Sequence, residues 1–189
     1  MYRSSLRFSL APAISPLWDQ LRCISDPNIS DQPNSSPKGR QAVNIQQIRD
    51  ELEIAALLRT YARGVDSRDW ALWRSVFTEN AVVDYTSAPH GFAGGRDEVA
   101  DWLAENFGVL PMSQHYITNI DAEIDGDSAK VCAMFYNPMQ LPGVKGLSFC
   151  GGYYHHDLVR TESGWRSSRM VEENVWFFNN PFAPAEADS

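Results

Sequence analysis

The sequence predicts an α+β fold, three N-terminal helices packed on a curved antiparallel β-sheet, from two observations. Apolar residues recur at helical spacing three times before Phe107, and from His115 to Phe178 the chain reads as long strand-like runs separated by turn signals. Helices grouped ahead of strands cover one face of the sheet. Such a sheet bends into a cone whose mouth the helices roof, enclosing a deep, mostly apolar pocket.

The first helix is read from Ile48, Leu52 and Ala55, then Leu58, Ala62 and Val65, an amphipathic stripe of about five turns. A break at 64–67 separates it from a short second helix over 69–77, with Trp70, Trp73 and Phe77 on one face. Thr78-Glu79-Asn80 ends that helix, and 81–86 reads as a short strand. Pro89, Gly91, Gly94 and Gly95 mark a loop before a third helix over 96–107, which carries Val99, Trp102, Leu103 and Phe107. The strand 115–124 closes on Asp125-Gly126-Asp127, a hairpin signal, and 129–140 returns from it. Pro142 and Gly143 break the chain before 147–161, and Ser163-Gly164 turns it into 165–178.

Residues 45–180 form one domain in this reading. Residues 1–44 are rich in Ser, Pro and Asn without periodicity and read as a disordered extension. The first 18 of them carry Arg3 and Arg7 and no acid, a faint likeness to an organelle-targeting peptide. From Pro181 the tail is rich in Pro, Ala and acids and is expected to fray. The expected location is cytoplasmic, with organelle targeting left open.

Composition narrows the function classes. A net charge of −8 lacks the basic footprint that phosphate binding needs, so nucleic acid is not an expected partner. No apolar run reaches the roughly 18 residues that span a bilayer, so no membrane association is expected. An aromatic content of 12% suits a cavity for a ring-containing ligand, and equally a well-packed core. Gly-rich phosphate loops, a GxSxG elbow and a Cys-nucleophile signature are absent, and Cys23, Cys132 and Cys150 lack metal-type spacing.

The residues able to do chemistry each have a structural alternative. Asp66, with Ser67, sits where a helix N-cap belongs, with Asp69 three residues on; its carboxylate could instead turn inward. Tyr61, five residues earlier, is about 140° around the helix from Asp66, so the two could line one cavity from adjacent directions. His115 shares a strand face with Ile117 and Asn119 if alternation holds; a carboxylate beside its ring would make it a base rather than a packing residue. His155 and His156 point to opposite faces of their strand and are poor joint ligands, so no metal is expected. The face shared by Tyr154 and His156 is a further candidate for the pocket.

An ordered set of short pieces carries a resemblance. These are Tyr61-x4-Asp66-x2-Asp69-Trp70, Val82-Val83-Asp84-Tyr85, Gly95-Arg96, Gln114-His115, Asp125-Gly126-Asp127-Ser128-Ala129, and Leu158-Val159-Arg160-Thr161 with Gly164-Trp165-Arg166. Together they resemble the cone-shaped nuclear-transport-factor-2-like superfamily, in its SnoaL-like polyketide-cyclase, scytalone-dehydratase and bile-acid 7α-dehydratase branch. The resemblance implies an Asp–His dyad at Asp66 and His115, with Tyr61 and Tyr85 as hydrogen-bond donors. A second histidine of scytalone dehydratase falls near Met139 here, its strand Ser/Asn pair falls around Gly152 and Tyr154, and the cationic residue used by the dehydrochlorinase has no secure counterpart.

The expectation is an enzyme: a cofactor-free, dehydratase-type lyase acting on a cyclic apolar substrate such as a polyketide, steroid or terpenoid. Asp66, His115, Tyr61 and Tyr85 are its catalytic candidates, and Trp70, Asp84, Phe135, Asn137, Tyr154 and His156 its substrate-binding candidates. The alternatives are a ketosteroid-isomerase-like or cyclase enzyme using Tyr61 and Asp84, and a non-catalytic binding module or dioxygenase small subunit. The superfamily's habit of pairing exposed sheet faces implies a homo-oligomer, a dimer or trimer.

Overall fold

A computed structural model describes residues 44–183. The expected extension lies outside the described residues apart from Asn44, as does the tail beyond 183. Asn44 caps helix α1 (Ile45–Ser67), its side chain accepting from the Gln46 and Gln47 N–H groups. The buried stripe of α1, Ile54, Leu57, Leu58, Tyr61 and Val65, follows the spacing of one helix face.

The break expected at 64–67 falls later. The helix runs through Ser67 and stops at Arg68, which takes a left-handed φ of 56°. The Arg68 guanidinium donates to the Asp66 carbonyl and, at 2.8 Å, to that of Leu110, fixing the corner. Helix α2 (Trp70–Arg74) is also shorter than expected. The Asp69 side chain caps it through the Leu72 N–H at 2.9 Å, and Ser75 Oγ bonds back to the Leu72 carbonyl.

Phe77 to Asn80 belong to strand β1 (Phe77–Asp84), not to the second helix, because ladder pairing overrides the local helical spacing. Strand β2 (Ala93–Gly95) pairs with β1 where a plain loop was expected. Helix α3 (Arg96–Phe107) begins at Gly95, whose N–H donates to Glu98 Oε2 at 2.9 Å.

Five more strands complete the sheet: β3 (Met112–Ser113), β4 (Tyr116–Asp125), β5 (Ser128–Gln140), β6 (Ser148–Thr161) and β7 (Gly164–Phe178). The order is β2-β1-β7-β6-β5-β3, with β4 also paired to β5. The sheet is mixed rather than wholly antiparallel, since β1 runs parallel to β7. The chain leaves β1, crosses through α3 and the β3–β7 meander, and returns beside β1 in the same direction.

Irregularities in the ladders accompany the curl. In β4 the register shifts between Thr118 and Asp121, where Asn119 has a φ of 48°. This overturns the expected alternation: Ile117 and Ile120 pack on the core, while Asn119 is exposed. In the β6–β7 ladder, Gly151 faces Trp176 and Gly152 faces Asn174, leaving Val175 as the extra residue. Among the described residues no helix is long and apolar enough to cross a membrane.

Gly152 is where this ladder leaves no room for a side chain. A Cβ there would lie 1.8 Å from the Glu173 carbonyl oxygen. Gly152→Ala is expected to lower unfolding free energy by about 1–3 kcal/mol, read as a reduced urea midpoint at unchanged slope.

Candidate active site

The curled sheet with helices α1 and α3 leaves a cavity of about 490 Å³, within the size range of small-molecule sites. Tyr61 reaches it from α1, Tyr85 from just past β1, Trp102 from α3, Phe135 and Asn137 from β5, Tyr154 from β6, and Glu172 from β7. His115 borders it from the link between β3 and β4 rather than from within a strand.

Asp66 sits one turn past Tyr61 and holds His115 twice. Its Oδ1 lies 2.6 Å from the ring Nδ1, and its Oδ2 accepts the His115 main-chain N–H at 2.8 Å. Ser113 Oγ adds a 3.4 Å contact to Oδ1. Asp66 therefore does not cap the second helix; Asp69 does. This geometry fixes the ring's orientation and places a proton on Nδ1, so that chemistry is left to Nε2.

Nε2 lies 3.0 Å from the Asn137 amide. With the amide oxygen toward the ring, Asn137 accepts from Nε2–H while its nitrogen donates to Pro138 O at 3.1 Å and Gln114 O at 3.3 Å. With the amide nitrogen toward the ring, it donates to a bare Nε2. One side chain can thus partner both the protonated and the neutral ring by turning over.

The tyrosines form the second polar group. The Tyr61 and Tyr85 hydroxyls are 2.6 Å apart, and Tyr61 meets the His115 ring edge-on with centroids 6.5 Å apart. Burial, reinforced by neighbouring tyrosines and Glu172, holds the Tyr61, Tyr85 and Tyr154 hydroxyls well above their usual pKa, so all three are proton donors near neutrality. Tyr154 stacks on Phe135 at 4.4 Å and Tyr85 on Trp102 at 5.9 Å, giving flat aromatic walls.

Three expected lining residues are elsewhere. Trp70 packs, partly buried, against the core and does not border the cavity; Trp73, three residues on, is the fully buried residue of α2. Asp84 shares the outward face of β1 with exposed Val82, while Val83 and Tyr85 point in; its carboxylate caps the turn by accepting from Thr86 N–H and Oγ1 at 2.8 and 2.6 Å. His156 is on the inward face, yet one layer below the cavity, with Nδ1 3.0 Å from Ser167 Oγ and its ring edge-on to Tyr61. Burial depresses its pKa to about 3, so it is neutral. His155 points outward to Glu173 at 2.9 Å. Among the described residues no three His, Cys, Asp or Glu side chains are grouped to hold a metal ion.

Sequence reasoning missed Trp102, Glu172 and Asn174. Trp102 was on the apolar face of its helix, but its side chain's reach into the pocket had no local signal. Glu172 is only 9% exposed, and its one side-chain partner among the described residues is Asn174 Nδ2 at 3.5 Å. Burial pushes its carboxyl up to about 7. The Cys150 thiol, also at the cavity, is pushed by burial to about 12 and stays protonated.

Comparison with known proteins follows the same outline. Residues 46–171 match the SnoaL-like domain model. An uncharacterised protein of Mycobacterium tuberculosis is 36% identical over 134 residues, covering 70% of this chain and 90% of its own. A candidate scytalone dehydratase from Novosphingobium aromaticivorans aligns with a TM-score of 0.65 at 18% identity, over 76% of this chain and 97% of that one. A hexachlorocyclohexane dehydrochlorinase (LinA) type 2 aligns with a TM-score of 0.63 at 20% identity, over 76% and 99%. At these identities the two structures show a shared fold.

The buried titratable pair predicts a specific pH profile. The Glu172 pKa is raised from 4.5 to about 7 on folding, so the stability it lends is full below 4.5 and is lost as pH rises through about 7. The His156 pKa is lowered from 6.5 to about 3, so its contribution is full above 6.5 and is lost as pH falls through about 3. Between pH 4.5 and 6.5 the two slopes oppose. Glu172→Gln is expected to gain stability relative to wild type across that window as pH rises, by at most about 1.4 kcal/mol per pH unit, in urea unfolding. Parallel profiles would contradict the assignment.

Proposed function

This chain belongs to the SnoaL-like domain family, and we propose that it is a dehydratase-type lyase that works without a cofactor on a cyclic, apolar substrate such as a polyketide, steroid or terpenoid. The observation that carries this reading is the Asp66 carboxylate 2.6 Å from Nδ1 of a histidine whose ring borders a cavity. A catalytic base needs a fixed tautomer and a partner for the charge it acquires, and Asp66 is placed to supply both.

In this mechanism His115 Nε2 takes a proton from a carbon next to a carbonyl or an allylic centre. The C–H electron pair forms a C=C bond as the C–O bond to the leaving hydroxyl breaks. The imidazolium returns its proton to that oxygen, and water leaves. Asp66 stabilises the imidazolium, and the Asn137 amide follows the ring's protonation state. Within the Tyr61–Tyr85 pair one hydroxyl donates to the other, so one O–H remains for the carbonyl or leaving oxygen. Such a donor is worth about 3 kcal/mol in other enzymes. Phe135 and Tyr154 offer a flat wall to a ring.

Asp84, the base that an isomerase reading requires, caps a turn on the outside of β1 and has no route to the cavity. The open cavity also speaks against a purely structural subunit, whose cone would be filled by side chains. The homo-oligomer remains a proposal and is supported by an exposed aromatic ribbon on the sheet. Tyr136 stacks on Phe149 and Trp176 with centroids 6.0 Å apart, and Trp176 and Phe178 are 44% and 65% exposed.

Asp66→Asn and His115→Ala are each expected to lower kcat/KM by about 10²–10⁴ against a panel of cyclic β-hydroxy ketones and sterols, with unchanged circular dichroism. Retained turnover in either folded variant would reject the mechanism. For the ribbon, Trp176→Glu is expected to reduce the mass measured by light scattering to that of one chain; a wild-type protein already at that mass would sink the proposal.

A further inference from the structure

The mechanism leaves one buried acid of the cavity unused. Trp165 and Ser167 face inward before an extra residue of β7, Ser168, which moves the inward face to Met170, Glu172 and Asn174; a second extra residue, Val175, then turns Phe177 in and leaves Val175 and Trp176 exposed. Neighbouring Ser87 ties this part of the strand to the Tyr85 turn, its Oγ donating to the Glu172 carbonyl at 2.9 Å and accepting from the Asn174 N–H at 3.0 Å. The backbone that carries the Glu172 carboxyl is thus pinned. Among the described residues it has no cation beside it, and its single side-chain hydrogen bond is the 3.5 Å one from Asn174.

We infer that Glu172 is a second substrate-contacting acid, a carboxylic acid that donates a hydrogen bond to a carbonyl oxygen and so makes the cavity selective for cyclic ketones over the matching hydrocarbons. The inference rests on the lyase reading only in taking this cavity as the substrate site. An uncompensated carboxylate is costly in such a place, and protonation removes that cost. The protonated group then holds an O–H that needs an acceptor inside an apolar chamber. A ketone supplies an acceptor without adding a donor or a charge. The same bond strengthens as negative charge develops on the carbonyl oxygen, so it acidifies the adjacent C–H that His115 would attack.

Groups facing Glu172 do not mimic its titration. They are Tyr61 from α1, Tyr85 beyond β1, and Cys150 and Tyr154 from β6, all of which stay protonated through neutrality. The face of α3 at the cavity, Trp102, Leu103 and Asn106, carries no titratable group. His90 and His115 are the other titratable side chains on the cavity wall, and a variant at Glu172 separates their effect.

The test is binding of 1-tetralone and of tetralin to the full chain by titration calorimetry from pH 5.5 to 8.5. In wild type the ketone is expected to bind more tightly than the hydrocarbon at pH 5.5 and to weaken about tenfold by pH 8.5, while tetralin changes less than twofold. Glu172→Gln keeps a donor that does not titrate and is expected to flatten the ketone profile. Glu172→Ala is expected to lose about tenfold in ketone affinity at pH 5.5 and none for tetralin. The proposal is overturned by a Glu172→Gln profile as steep as wild type, by equal affinity for the two probes, or by no binding of either. Binding is read rather than turnover, so a persistent profile with no elimination from any substrate would reject the lyase reading and keep this one.

Discussion

The bond between the Asp66 carboxylate and His115 is the constraint on which the rest of the site depends. One oxygen takes the main-chain N–H of His115 and the other faces its ring. The first contact ties the last turn of α1 to the chain between β3 and β4, and the second sets the ring. A partly buried carboxylate with only one of these partners would be left with unmet hydrogen-bonding capacity, so the two contacts support one another. Helix position and histidine orientation are thereby coupled, and through Asn137 the coupling reaches β5.

Around that contact the cavity wall is divided by chemistry. Near α1 it offers the histidine edge and the paired tyrosine hydroxyls; on β7 it offers a carboxyl that burial pushes toward neutrality. Neutral His156 supports the tyrosines from below without adding charge. Beyond the Asp66–His115 pair, the wall carries tyrosine hydroxyls, the Asn137 amide and a carboxyl whose charged form burial disfavours, set among aromatic faces. Such a chamber favours an uncharged ring with oxygen substituents over an ionic ligand.

The helices and the long strands were legible from periodicity, and α3 begins and ends where its pattern does. Asp66 was not legible locally, because a carboxylate near a helix end can cap the next helix or turn inward. The outcome hinges on where α1 stops, and Arg68 in a left-handed conformation carries that stop past Asp66. The ordered family-like pieces, not the spacing, pointed to His115. Asp84 was a misreading that alternation could have caught, since adjacent Tyr85 and Asp84 cannot both face one pocket from a strand. Glu172 was hidden for a different reason. Simple alternation from the inward Trp165 and Ser167 turns 172 outward, whereas the extra residue Ser168 shifts the inward face to Met170 and Glu172, and bulges arise from pairing partners that lie far along the chain.

The most direct test of the central claim, that His115 is a base aimed at a substrate carbon, needs no leaving group. A ring ketone such as 1-tetralone, incubated with the protein in D₂O, exposes α-protons to Nε2 without any possible elimination. The account predicts deuterium incorporation at the carbon next to the carbonyl, faster than in buffer and lost in His115→Ala, read by mass spectrometry. Exchange no faster than buffer with bound ketone, or equally fast without His115, would contradict it.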